Sequence, residues 1–333
     1  SAVPLFLCLP ACRYQKIRYM NNQILISVII PSYNRADTVS QTIESIVNQQ
    51  VDANIEIVIG DDCSTDNARE VLLEYQEKYP NIIRLFFWEK NMGLGANWAS
   101  CVKECRGKYI CNCDNDDYWH NPNKLQLQLD YMEAHPKSNI LITNHRTHNR
   151  TTGEILEHQA RIDHSNIQQS MWGGCSFCNA TIMYRADFMK AHLDLDEFIK
   201  RRLSLQDWPA WVILTAYTDI DELPVSTATF GIETVSITRP DSVERLAKRY
   251  IGDKEVCRYL GELFPDKFPF SEREWDLYVN GRLMSKAFDL RQFELAKQYG
   301  KECVGVSKVK RLCSQNKVLF YLFTTLKMIK HKS

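Results

Sequence analysis

Leu25-Ile-Ser-Val-Ile-Ile30, closed by Pro31, decides the architecture. A continuous run of branched apolar residues without alternation reads as a strand buried on both faces, the kind found in parallel sheets. Val39, Ile43, Ile46 and Val47 follow at helical spacing, with Asp37 placed to cap the helix. Ile55-Glu-Ile-Val-Ile59 predicts a second strand. Asp66 to Tyr79 predicts a second helix, with Ala68, Val71, Leu72 and Tyr75 on one face. Ile82–Phe87, Gly95–Cys105 and Lys108–Cys113 continue the pattern as strand, helix and strand. Four strands in about 90 residues, linked by helices, predict a parallel, doubly wound sheet. Ligands of such sheets sit beyond the carboxyl ends of the strands. The loops to inspect are therefore Pro31–Asp37, Gly60–Asp66, Trp88–Gly95 and Asp114–Pro122.

Further along, Asn121-Pro122 reads as the start of another helix, with Leu125, Leu129 and Met132 sharing a face. Ile140–His145 and Glu154–His158 read as strands around Thr151-Thr-Gly153, and Gln206–Tyr217 as a helix rich in aromatics. Beyond Pro240 the pattern is all helical, over Asp241–Leu263, Glu272–Phe288 and Arg291–Val304. The tail from Lys301 to Ser333 holds eight Lys and Arg against the single acid Glu302. Within it, Lys317-Val-Leu-Phe-Tyr-Leu-Phe-Thr-Thr-Leu-Lys327 is basic at both ends and apolar between. That run is too short to span a bilayer. It suits either a last helix packed on the core or one lying in a membrane interface.

Composition excludes several classes. Among 333 residues, Lys+Arg and Asp+Glu are 41 each, so no basic excess supports binding to nucleic acid by bulk charge. Charged residues at 25% and aromatics at 11% exclude a wholly disordered chain. The 12 cysteines are scattered through apolar stretches and read as reduced and buried, in keeping with a cytoplasmic protein. Cys175-Ser-Phe-Cys178 has no second pair to complete a zinc site. Residues 1–19 stand apart as a leader foreign to the fold, with Met20 the expected natural start.

The chemistry concentrates in Cys113-Asp-Asn-Asp-Asp-Tyr-Trp-His-Asn-Pro-Asn-Lys-Leu125. Asp114, Asp116 and Asp117 crowd one loop after a buried strand, where each carboxylate raises its neighbours' pKa. A divalent cation neutralises such a cluster, and all-oxygen ligands at a loop suit Mg²⁺ or Mn²⁺. An EF-hand is excluded because its glycine and terminal glutamate are missing. Ile59-Gly-Asp-Asp-Cys-Ser-Thr-Asp66 sets a second acidic pair after the second strand. Pro31-Ser-Tyr-Asn-Arg35 offers an aromatic face for stacking and a guanidinium for phosphate. Gly93-Leu-Gly95 lacks the third glycine of a dinucleotide loop, and no Walker lysine loop occurs.

Ser27-Val-Ile-Ile-Pro-Ser-Tyr-Asn-Arg35, Gly60-Asp-Asp-Cys-Ser-Thr-Asp66, Asn91-Met-Gly-Leu-Gly95 and Asp116-Asp-Tyr-Trp-His-Asn-Pro-Asn-Lys-Leu125 together resemble the ordered motifs of family 2 glycosyltransferases of the GT-A fold. The resemblance is close to His135 and looser to about Ser236. It implies a Rossmann-like nucleotide-binding half over 20–120, an acceptor half over 121–239 and a helical C-terminal region over 240–333. It implies a nucleotide-sugar donor, a UDP-sugar first, a glycan or lipid-linked acceptor hydroxyl, and Mn²⁺ or Mg²⁺. By the same resemblance, Pro31, Tyr33 and Arg35 flank the nucleotide, Asp62 holds its base and Asp116 contributes beside it. The DxD-type metal motif falls on two overlapping registers, Asp114 with Asp116 or Asp116 with Asp117. The flanking Tyr-Trp-x-x-Pro-x-Lys-Leu favours the second.

Leu205-Gln-Asp-Trp-Pro-Ala-Trp211 matches the segment that carries the family's general base, which makes Asp207 the base. Trp172, Gly173, Gly174 and Trp208 would border the donor sugar and acceptor. Phe230-Gly-Ile-Glu-Thr-Val-Ser236 lacks the histidine ligand of some members, leaving Glu233 as a substitute. The resemblance implies an inverting hexosyl- or N-acetylhexosaminyltransferase of cell-surface polysaccharide assembly, at the inner face of the plasma membrane. The competing readings are a non-catalytic glycan- or lipid-binding member of the fold and a nucleotidyltransferase. The latter would want a glycine-rich phosphate loop near the first strand, and Pro31–Asp37 has no glycine.

Overall fold

The computed structural model describes residues 23–172, 175, 177–232 and 240–330, with side chains to residue 324. The expected leader over 1–19, the start at Met20, and Gly173, Gly174 and Glu233 lie outside the described residues. The chain runs β1 (Ile26–Ser32), α1 (Val39–Val47), β2 (Ile55–Asp61), α2 (Ala68–Lys78), β3 (Ile83–Phe87), α3 (Leu94–Glu104) and β4 (Tyr109–Asn112). It continues through β5 (Tyr118–Trp119), α4 (Lys124–Ala134), β6 (Ile140–Asn149), β7 (Ile155–His158), α5 (Ile167–Ser170), β8 (Met183–Arg185), α6 (Ala186–His192), α7 (Leu195–Arg201), α8 (Asp207–Leu214) and β9 (Asp221–Ile232). Five helices complete it: α9 (Val243–Leu263), α10 (Glu272–Asp289), α11 (Phe293–Tyr299), α12 (Lys308–Ser314) and α13 (Lys317–Lys330).

Every residue of β1 is buried, as its unbroken apolar run requires. The strands form one sheet in the order β3-β2-β1-β4-β8-β6-β9-β5, with β7 paired to β6. The first four are parallel, with Ile26 opposite Ile55 on one side and Tyr109 on the other. The second half is mixed: β8 runs antiparallel to both β4 and β6, and β5 antiparallel to β9, while β6 and β9 are parallel. The chain steps from β1 outward to β2 and β3, then returns through α3 to place β4 on the other flank of β1. That reversal opens a crevice at the carboxyl ends of β1 and β4, where α/β sheets bind ligands. The acidic loop leaves β4 at this point.

Two caps differ from expectation. α1 starts at Val39 rather than behind Asp37, and α4 at Lys124 rather than behind Asn121. Their N-cap positions, Thr38 and Asn123, make no side-chain cap bond. The Thr38 hydroxyl instead donates to the Asn115 carbonyl at 2.8 Å, and Thr42 donates to the Asp117 carbonyl at 2.6 Å. A local cap is given up for a tertiary contact in which α1 holds the acidic loop. The expected helix over Arg291–Val304 is shorter: α11 begins after Arg291, which takes a left-handed φ of 58°, and ends at Tyr299 with Gly300 as its cap.

One core cluster joins Trp98, Phe198 and Trp211 to Val256, Tyr259, Leu260 and Phe268. Another joins Val243 and Tyr250 of α9 to Met284, Phe288, Phe293 and Phe320. Helix α9 therefore has one face in the core built on the sheet and one in the helical C-terminal core.

Candidate active site

The acidic loop divides its carboxylates by direction. Asp117 is 1% exposed, and its Oδ1 accepts from the Gly231 backbone N–H at 2.9 Å. Burial, and then the charges of Asp116 and Asp114, push its pKa well above the usual carboxylate range. Asp114 and Asp116 are only partly buried. Asp116 Oδ2 lies 3.5 Å from the Arg35 guanidinium. Asp114 accepts from Gln206 Nε2 at 3.1 Å, and burial with Asp116 and Asp207 nearby raises its pKa to about 7. Two neighbours brace the loop, one just past the end of β6 and one in β9. Arg150 donates to the Asp116 carbonyl at 2.7 Å, and a Cβ on Gly231 would sit 2.3 Å from that same oxygen.

The loops after β1 and β2 are knitted together beside it. Asn34, with a left-handed φ of 49°, receives the Thr65 N–H on Oδ1 and donates its own N–H to Ser64 Oγ. This turn leaves Tyr33 46% exposed, free to stack on a planar ligand, and directs Arg35 to Asp116. Pro31 is buried inside β1 opposite Gly60, at the end of the strand. Asp61 is held by Arg69 Nε at 2.6 Å and the Ser64 N–H. Asp62 receives the N–H groups of Met92 and Gly93 at 2.6 and 2.8 Å on its two oxygens. Burial raises its pKa even against those two donors. Asp62 therefore ties the Asn91–Gly93 loop to the end of β2, at the rim of the crevice.

Asp207 opens α8, whose residues Pro209 to Leu214 are all buried, a rigid base for one side chain. Burial raises the Asp207 pKa, and its own and the Trp208 backbone N–H partly offset this. Gly95 sets the approach of this segment. Its N–H donates to the Leu203 carbonyl, and a Cβ there would meet that oxygen at 2.3 Å. The glycine that fits no dinucleotide loop thus admits the backbone leading to Gln206 and Asp207. Trp208 Nε1 donates to the Trp172 carbonyl at 3.1 Å, and the two rings meet edge to face. Phe268, from beyond α9, stacks on Trp172 at 4.3 Å with planes 2° apart. Lys267 beside it donates to Gln168, which donates to Val212 of α8. Two chains of contact therefore run from the C-terminal region to the helix carrying Asp207. Phe268→Leu is expected to lower kcat by about tenfold with donor KM little changed, since small misplacements of a reacting group are costly. Steady-state kinetics on both substrates check this.

The structure thus gathers Tyr33, Arg35, Asp114, Asp116 and Asp207 around the crevice, with Trp172 and Trp208 on the α8 side. It buries Pro31 and Asp117 and engages Asp62 in the loop. Sequence reasoning missed Thr38, Thr42, Arg150, Gln206, Gly231 and Phe268. Gln206 alone carried a signal, as the neighbour of Asp207. Among the described residues no group of three His, Cys, Asp or Glu could hold a metal. Asp114 and Asp116 offer two carboxylates, a donor set that suits Mg²⁺ or Mn²⁺ when substrate phosphates and water complete the shell.

The fold is that of GT-A glycosyltransferases. It is similar to a S. aureus TarS 1–349 crystal structure in complex with UDP-GlcNAc, at a TM-score of 0.54 and 16% identity over 92% of each chain. Residues 27–192 match the family model described as Glycosyl transferase family 2, and the chain belongs to that family. EpsE of Bacillus subtilis, named as a glycosyltransferase, is 29% identical over 199 residues, 58% of this chain and 67% of that protein. Chondroitin synthase of Escherichia coli is 36% identical over 106 residues, 32% of this chain and 15% of that protein. The chain spans about a third of the length of the first curated relatives it matches.

Proposed function

We propose that this chain is an inverting, divalent-metal-dependent transferase. It moves a hexosyl or N-acetylhexosaminyl group from a nucleotide sugar to a hydroxyl of a glycan or lipid-linked acceptor in cell-surface polysaccharide assembly. The observation that carries this is the hydrogen bond from Gln206, the residue before Asp207, to Asp114 at 3.1 Å, which brings the start of α8 against the acidic loop. A carboxylate suited to take a proton stands next to a carboxylate pair suited to a phosphate-bound cation. The name of chondroitin synthase among the relatives supports a polysaccharide product. The UDP-GlcNAc bound to TarS makes a UDP-sugar the first donor to test.

Asp114 and Asp116 would hold the cation, which when bound supplies charge neutralisation for the departing diphosphate. Tyr33 stacks on the nucleotide base, and Arg35 adds a fixed positive charge beside the phosphates. Asp207 accepts the proton of the acceptor hydroxyl as that oxygen attacks the anomeric carbon. Attack from the face opposite the leaving diphosphate, in one displacement, inverts the anomeric configuration. Trp172 and Trp208 wall the acceptor side and exclude water from the attacking oxygen.

Calorimetric titration with UDP, GDP, dTDP and CDP, each with and without Mn²⁺, tests the reading. One nucleotide is expected to bind more tightly when Mn²⁺ is present. Binding of none under either condition would overturn it.

A further inference from the structure

The tail admits both a core-packed and a membrane-lying helix from sequence, and the structure gives its helices two different faces. On α13, Phe320 is fully buried, with its ring 4.5 Å from Phe288 and 5.4 Å from Phe293, and Thr324 is buried one turn on. The outer face is apolar as well. Val318 is 76% exposed and Leu322, one turn later, 56%. On α12, Val309 and Leu312, also one turn apart, are 55% and 66% exposed. A helix docked on a core ordinarily turns polar residues outward. Here the outward cations Lys308 and Lys317 alternate with branched apolar side chains, while Arg311 donates to the Cys303 carbonyl at 2.6 Å.

We propose that α12 and α13 form a docking surface for an anionic lipid bilayer, lying in the interface rather than crossing it. Among the described residues no helix is long and apolar enough to cross a membrane. The apolar side chains would enter the headgroup–acyl boundary while the lysines meet anionic headgroups. Charge favours lipid over a second copy of this chain. Residues 301–333 carry eight Lys and Arg against one acid, so two such faces brought together would oppose positive to positive. None of these residues lines the catalytic crevice, so the surface stands or falls separately from the transferase reading.

Vesicle flotation of the full chain tests it. Phosphatidylcholine vesicles containing about 30% phosphatidylglycerol are compared with pure phosphatidylcholine, at low and high salt. The chain is expected to float with the anionic vesicles, roughly tenfold less with neutral ones, and less as salt rises. Leu312→Glu with Leu322→Glu, and separately Lys308→Glu with Lys317→Glu, are each expected to lower flotation by about tenfold, with the circular dichroism spectrum and nucleotide binding unchanged. Both pairs are exposed, so folding is not at stake. Equal flotation with neutral and anionic vesicles, or none with either, would overturn the proposal. So would a concentration-dependent dimer that Leu312→Glu with Leu322→Glu dissolves, which would assign the face to a second copy.

Discussion

Asp207→Asn is expected to leave the nucleotide sugar bound and to lower turnover by roughly 10²–10⁴-fold, the range a positioned general base contributes. The amide keeps an oxygen to receive the Trp208 N–H and keeps the shape of the α8 terminus, but it takes no proton. Loss of turnover with donor affinity intact separates a base from a structural cap. Equal loss of both would refute the role. The pH profile adds a second readout. Burial raises the Asp207 pKa, and a base works only when deprotonated. Turnover should therefore rise with pH along a limb centred above the ordinary aspartate value and then level off. Asp207→Asn should remove that limb from its residual rate.

The second large effect is at the acidic loop. Asp116→Asn and Asp114→Asn are each expected to weaken Mn²⁺-dependent nucleotide binding by at least about 100-fold. Even loss of an outer-shell partner costs 10- to 100-fold in metal affinity. Asp117→Asn should stay much nearer the parent, because an amide oxygen can still accept from Gly231. Asp117→Ala leaves that buried N–H without a partner and should cost about 1–3 kcal/mol of stability instead. Calorimetry with and without Mn²⁺, beside thermal unfolding, distinguishes the three. A loss of metal-dependent binding in Asp116→Asn and Asp117→Asn, with Asp114→Asn near the parent, would restore the register that the flanking motif favours. Stability carries its own sign. With its pKa raised to about 7, Asp114 holds its proton in the folded state at pH values where the unfolded chain has lost it. The folded state therefore loses stability as pH rises from about 4 to about 7. Without a cation, Asp114→Asn should raise Tm above pH 7 even as it removes binding.

The elements were legible where pattern is local. The run Leu25–Ile30 announced a doubly buried strand, and the helix periodicities located α1 to α4 to within a few residues. The boundaries slipped at Thr38 and Asn123, where a hydroxyl serves the acidic loop or no cap bond forms. The mixed second half of the sheet was less legible. Strand direction there depends on which distant segments pair, and β8 at Met183–Arg185 is too short to show a period.

By itself the sequence determined the order of strands and helices, the loops that meet at the crevice and the residue types available for chemistry. Those follow from apolar spacing and from motifs contiguous along the chain. The tertiary structure decided which acids face outward. Asp116 and Asp117 are adjacent and chemically identical, yet Gly231 draws one carboxyl inward while Arg35 meets the other at the surface. It also decided that Gly95 admits the segment before Asp207, and that Phe268 reaches back from beyond α9 to brace Trp172. Each of these contacts joins residues far apart in the chain. Local pattern carries no trace of them, because a side chain's direction is set by the partner that satisfies it once the backbone has folded.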